Sequence, residues 1–266
     1  MREASLITGI NRAYFQGMLD RNPEVAQRAV LAEMPYGGSE ADHEFIRRQP
    51  RPAKLFSSHT GKFNLVYAGA MLPKAYAVLD RLLDGLADLR KTHPHLACEF
   101  HLHFIGTGKS PSDPEGYNIR PYLERRGLLD CASEHPARLP YLDVLTHLHA
   151  ASGVLVLGST EAHYSPSKIY QAILSRRPVL AILHEASTAI ATLRTANAGP
   201  IMTMSARDLP SATAVASELD RFIFANTYSE TQVQWESLEE HSARSSARAL
   251  ATALDKVLLR SVAASP

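Results

Sequence analysis

Apolar residues along the chain come in short runs, each closed by Gly, Pro or Ser: SLITG from Ser5, AVLAEMPYGG from Ala29, NLVYAGA from Asn64, FHLHFIGTG from Phe100, GVLVLGS from Gly153, RPVLAIL from Arg177 and GPIMTM from Gly199. Runs of this length between turn formers predict buried strands. Between them lie longer stretches with apolar residues at helical spacing, clearest in Ala77, Leu79, Leu82, Leu83, Leu86 and Leu89. Strand and helix therefore alternate. That alternation predicts an α/β fold with a Rossmann-like, mainly parallel sheet and helices on both faces, because a parallel crossover needs a helix-length connection.

Further helices are marked by their boundaries. NIRPYLERR stops at Gly127, PYLDVLTHLHAAS opens with Pro140, and SPSKIYQAILSRR opens with Ser165, Pro166 and Ser167 and closes with Arg176 and Arg177. These are the residue types expected at helix starts and ends. Residues 229–260 are polar and amphipathic, and predict one long or two short helices packed on the surface. The stretch from Pro35 to Lys62 carries turn formers and charges with few apolar anchors, and is expected to be a linker. Upstream of it only one strand, one helix and one further strand can be fitted, too little for an independent core.

With 45% hydrophobic residues among 266, the chain can bury one sizeable core or one domain with an attached fragment. Lys and Arg total 28 against 27 Asp and Glu, a net charge of +1, so nucleic acid is not expected as a partner. Cys98 and Cys131 support neither a disulfide framework nor a zinc ribbon, which fits a reducing cytosol. No signal peptide is read at the start, and no apolar run approaches the roughly 20 residues of a spanning helix. Peripheral contact with the inner face of the membrane stays open.

Several chemistries are set aside by spacing. Gly108, Lys109 and Ser110 supply the end of a P-loop, but His103 stands where its first glycine belongs, and Gly106 with Gly108 lacks the third glycine of a dinucleotide turn. The histidine pairs 93/95, 101/103 and 147/149 lack the spacing of a zinc protease, and no metal is expected. There is no GxSxG nucleophile elbow. What remains is the strand GVLVLGS, the loop TEAHYS and a helix leading straight into another strand. A helix that starts after the carboxyl end of a parallel strand offers free N–H groups to a phosphate or diphosphate, and Ser165, Ser167 and Lys168 sit at that end. Helix capping by the serines with a solvated lysine fits the same residues.

The arrangement SPSKIYQAILSRRPVLAI resembles the donor-binding region of the retaining, family-4-like GT-B glycosyltransferases. NLVYAGAMLPK resembles the first strand and phosphate-contacting loop of their C-terminal domain, FHLHFIGTG the second strand, and LPYLDVLTHLHAASGVLVLGS the helix and strand before the donor loop. At the start, ASLITGINRAYFQGML resembles the closing strand and helix of the N-terminal domain, and VLAEMPYGGSEADHEF the interdomain connection. The resemblance implies a remnant of the acceptor domain plus linker in residues 1–48 and a nucleotide-sugar-binding domain with C-terminal helices in 49–266. It implies transfer of a sugar from a nucleotide diphosphate sugar to the hydroxyl of a glycan or lipid-linked acceptor, with no metal or other cofactor. The rest of the N-terminal domain, or self-association, would complete the molecule.

By the same resemblance, Gly69 admits close backbone approach, Lys74 neutralises the leaving diphosphate, Gly106 and Gly108 border the nucleotide, and Ser167 and Lys168 face phosphate. The family has two Glu residues separated by seven; here His163 and Gln171 hold those positions, with Glu161 two residues from the first. Gln171 keeps hydrogen-bonding capacity toward ribose hydroxyls. No catalytic residue is assigned. Two alternatives follow from the departures: a non-catalytic nucleotide-binding or interaction module of the same half-fold, or another GT-B enzyme such as a nucleotide-sugar epimerase.

Overall fold

The structure is a computed structural model, described here for residues 3–108, 116–162, 164–225 and 227–263. It divides into two compact units, Met1–Ser39 with Trp235–Pro266, and Glu40–Gln234. The chain opens with β1 (Leu6–Gly9), α1 (Ala13–Asp20), α2 (Pro23–Arg28) and β2 (Val30–Glu33). β1 and β2 pair in parallel, and α1 buries Phe15 and Leu19.

The larger unit runs α3 (Glu40–Arg48), β3 (Phe63–Ala68), α4 (Tyr76–Thr92), α5 (Leu96–Glu99), β4 (Phe100–Ile105), α6 (Arg120–Glu124), β5 (Ala132–His135), α7 (Tyr141–Ala150), β6 (Gly153–Leu157), α8 (Lys168–Leu174), β7 (Val179–His184), α9 (Ala189–Ala196), β8 (Ile201–Met204) and α10 (Ala212–Phe224). The last helix, α11 (Ala243–Ala263), belongs to the first unit, where it packs along β2. No helix among the described residues is long and apolar enough to cross a membrane.

Every strand expected from an apolar run is present, and the α/β class with a parallel sheet holds. One strand escaped the sequence reading. β5, Ala-Ser-Glu-His, has no apolar run, because it is an edge strand that buries only alternate residues. The expected linker also contains a helix. In α3 the acids Glu40 and Asp42 lie in the first turn and Arg47 and Arg48 in the last, matching the helix dipole, while His43 and Ile46 supply a buried face too sparse to stand out by hydropathy.

The six strands of the larger unit align in the order β5-β4-β3-β6-β7-β8, all parallel. One face carries Leu65 and Tyr67 of β3 and Phe100, Leu102 and Phe104 of β4 against Val78, Leu79, Leu82, Leu83, Leu86 and Leu89 of α4. α4 in turn packs on α10 so closely that a Cβ at Gly85 would stand 2.5 Å from Val215. The other face carries Asn64 and His103, with Phe56 stacked on His103 and edge-on to His147 of α7.

The order of the strands fixes where a ligand belongs. From β3 the chain adds β4 and β5 on one side, then crosses to β6 on the other and continues to β7 and β8. The direction of growth reverses between β3 and β6, and it is outside the carboxyl ends of strands at such a switch point that open parallel sheets place their ligand crevice.

Candidate functional site

Three segments meet at that crevice: the turn after β3, the loop after β6 and the start of α8. Gly69 follows β3 with φ +117°, a backbone conformation that side-chain-bearing residues rarely adopt, and donates its N–H to the Ile105 carbonyl at 2.8 Å. A Cβ at Gly69 would lie 3.4 Å from the Lys168 Nζ. That is an ordinary contact distance, so the positive φ rather than lack of space is what calls for glycine beside the lysine.

Lys168 comes from the first turn of α8. Its Nζ donates to the Tyr67 hydroxyl at 2.7 Å and lies 4.0 Å from the centre of that ring, and the hydroxyl donates onward to the Ala70 carbonyl at 3.0 Å. Burial alone pulls the Lys168 ammonium down to about 7, and burial also raises the Tyr67 phenol. A desolvated cation held by a neutral hydroxyl and an aromatic face favours an anionic ligand, whose charge offsets the cost of its burial.

Lys74 and Glu161 close the crevice from opposite sides. Lys74 lies in the short 3₁₀ turn Pro73–Ala75 before α4, and its Nζ pairs with Glu161 Oε1 at 3.0 Å. The Lys74 carbonyl also accepts the Thr160 N–H at 3.2 Å, and the Glu161 N–H donates to Ser159 Oγ at 3.2 Å. The loops after β3 and β6 are thus joined by backbone and by charge. Since Lys74 remains mostly exposed, the ion pair is weak enough to be exchanged for a ligand.

The turn after β4 is built to hold still. Gly106 adopts φ +70° and donates to the His135 carbonyl at 2.8 Å, and Gly108 donates to the Pro136 carbonyl at 2.9 Å. Both glycines lie at the same sheet edge as Gly69, one strand away.

The remaining residues singled out by sequence fall elsewhere. Ser165 Oγ hydrogen-bonds Thr188 Oγ1 at 2.7 Å, tying the loop before α8 to the start of α9. Ser167 is the N-cap residue immediately before α8, is exposed, and its side chain makes no capping bond. Gln171 lies one turn beyond Lys168 and its Oε1 accepts from His43 Nε2 at 2.7 Å, so that His43 Nδ1 in turn accepts from His149 Nε2 at 2.9 Å. His163 lies outside the described residues. The structure thus brings Gly69, Lys74, Glu161 and Lys168 together around one crevice, with Gly106 and Gly108 beside it, while Ser165 and Gln171 face other partners.

Tyr67 went unnoticed in the sequence reading. The available signal was a hydroxyl-bearing residue inside an otherwise aliphatic strand, which needs a polar partner when buried. The buried pair Thr107 and Glu134 was missed as well, since its two members are 27 residues apart and Glu134 belongs to an unrecognised strand.

No family model matches the chain, and no curated protein matches it. Solved structures do. A UDP-forming trehalose-phosphate synthase from Burkholderia xenovorans aligns with a TM-score of 0.69 at 14% identity, over 97% of this chain and 62% of that chain. HepE from Anabaena, determined in complex with UDP and glucose, aligns with a TM-score of 0.62 at 15% identity, over 95% of this chain and 64% of that one. Sucrose-phosphate synthase from Thermosynechococcus elongatus aligns with a TM-score of 0.54 at 15% identity, over 99% and 60%. These neighbours are GT-B glycosyltransferases, and the chain carries a half GT-B fold. It spans less than two thirds of the length of each.

Proposed function

We propose that this chain is the donor-binding half of a glycosyltransferase, which takes a nucleotide diphosphate sugar into the crevice between β3 and β6 for transfer to a hydroxyl of a glycan or lipid-linked acceptor. The observation that carries the reading is Lys168, a desolvated ammonium placed over Gly69 at the point where the sheet reverses its growth. The solved neighbours add a direction for the base, since two of them are described with UDP.

In this reading the diphosphate displaces Glu161 from Lys74 and accepts hydrogen bonds from Lys74 and Lys168. The two cations supply the neutralisation that a leaving diphosphate needs as negative charge develops on it. Gly69 lets the phosphate oxygens approach the backbone. Glu161, once released, faces the sugar hydroxyls as an acceptor. The nucleoside extends across the carboxyl end of β4, beside Gly106 and Gly108. Acceptor positioning requires the part of the fold that the neighbours have and this chain does not span.

A second reading is supported by Gln171. The family places Glu at this position, and here the amide oxygen is already engaged by His43. A module that binds nucleotide and transfers nothing would have that feature. Calorimetric titration with UDP, GDP and ADP and their common sugar conjugates tests both, run in parallel on Lys168→Ala. Binding lost in the variant supports the donor site. Binding of UDP with no preference for the sugar conjugate supports the module. Absence of binding to every nucleotide would remove the proposal.

A further inference from the structure

One buried carboxylate beside the proposed site fastens the turn after β4 to the start of α6. Glu134 of β5 is 7% exposed and has four hydrogen-bond donors converging on it. Its Oε1 accepts from the Thr107 hydroxyl and from the Asn118 N–H at 3.0 Å. Its Oε2 accepts from the N–H groups of Ile119 at 2.8 Å and Arg120 at 2.7 Å, which open α6. Thr107 is itself 1% exposed and lies between Gly106 and Gly108, whose N–H groups are bonded to the carbonyls of His135 and Pro136. Through side chain and backbone together, the turn after β4 is fastened at every residue to residues 134–136.

We infer that Glu134 is a positioning residue for the nucleoside: it locks the Gly106–Thr107–Gly108 turn in a single conformation, and thereby gives the site its preference for a nucleoside diphosphate over bare diphosphate. The inference rests on the donor-site reading above. Neighbouring strands are about 4.8 Å apart, so the ends of β4 and β5 lie at increasing distance from the cations at β3, in the direction a nucleoside takes when its diphosphate is held by Lys168. A turn that makes contact through backbone atoms selects its ligand only if those atoms do not move. Glu134 does not itself touch the ligand. Its four donors leave it no free valence, and its effect runs entirely through Thr107 and the start of α6.

The test compares two ligands on three proteins: UDP and inorganic diphosphate, titrated into the wild-type chain, Glu134→Gln and Thr107→Val. The glutamine amide cannot accept on its nitrogen, so it strands two of the four donors. The valine removes the hydroxyl anchor while keeping side-chain shape, and covers the case in which Glu134→Gln fails to fold. The expected result is a loss of UDP affinity of about tenfold in either variant, with diphosphate affinity unchanged. A general loss of structure would weaken both ligands equally, which overturns the inference. Unchanged UDP affinity in folded variants overturns it as well. If the wild-type chain binds neither ligand, the donor-site reading fails first, and the inference falls with it.

Discussion

At the scale of single residues, Lys168 sets function against stability. Its folded pKa of about 7 lies below the ordinary 10.5, so the unfolded chain binds the extra proton between those values. Stability therefore rises as pH increases from 7 to 10.5, and the full burden of the half-buried lysine is present below pH 7. Lys168→Met keeps the stem and removes the charge. Its melting temperature should exceed wild type by several degrees at pH 6.5, with the gap closing toward pH 10, while UDP binding is lost. An equal gap at both pH values would mean that the ammonium is not desolvated. The lysine itself was legible from its place after a strand and loop, but its partner was not. Tyr67 enters the site because β3 and α8 are brought together by a sheet crossover, and a contact across 101 residues has no local signature.

At the scale of elements, hydrophobic pattern was enough wherever an element buries a continuous face. β3, β4, β6 and β7 were readable because both of their faces are covered, and α4 because its apolar residues recur at helical spacing. β5 and α3 were not, since each buries a few residues amid polar ones. Gly85 shows what pattern omits. Alanine there favours the isolated helix by up to about 1 kcal/mol, yet its Cβ would meet Val215 at 2.5 Å and the Ala212 carbonyl at 3.0 Å. Gly85→Ala should therefore destabilise the fold, by about 1–3 kcal/mol in a denaturant titration, and an unchanged midpoint would show that α4 and α10 separate easily. The β4–β5 pair makes a second prediction. Ser133 Oγ lies 3.0 Å from His101 Nε2, 3.4 Å from His103 Nδ1 and 3.3 Å from His135 Nε2. His103 Nε2 donates to Asn64, so its Nδ1 is the acceptor for the serine hydroxyl, and the other two rings donate. Burial depresses all three, His101 to about 4 and His103 to about 3. A histidine depressed in the folded state contributes stability above its unfolded pKa near 6.5 that is lost as pH falls toward the folded value. The melting temperature should drop steadily between pH 6.5 and 4, and His101→Gln should flatten that slope. A flat wild-type profile would contradict the neutral network.

At the scale of the molecule, binding and transfer come apart. Lys74, Glu161, Lys168, Gly69, Gly106, Thr107 and Glu134 all lie within Glu40–Gln234, the unit that holds the six-stranded sheet and its core. In the proposed reading, diphosphate and nucleoside recognition therefore fall wholly within one compact unit. Transfer is not, because the chain spans only 62% of the trehalose-phosphate synthase it resembles, and an acceptor hydroxyl must be oriented as well as a donor. The whole chain should accordingly bind UDP and release no transferred sugar when offered UDP-glucose with glucose or a glucose phosphate. A fragment limited to residues 40–234 should bind UDP within about threefold of the whole chain, a difference of roughly 0.7 kcal/mol. Titration of both proteins, with product analysis on the longer one, checks the two statements separately. Loss of binding in a folded fragment would mean that the first unit contributes to the donor site. Transfer by the chain alone would mean that 266 residues already contain an acceptor site, and that the boundary between donor and acceptor functions lies inside this sequence.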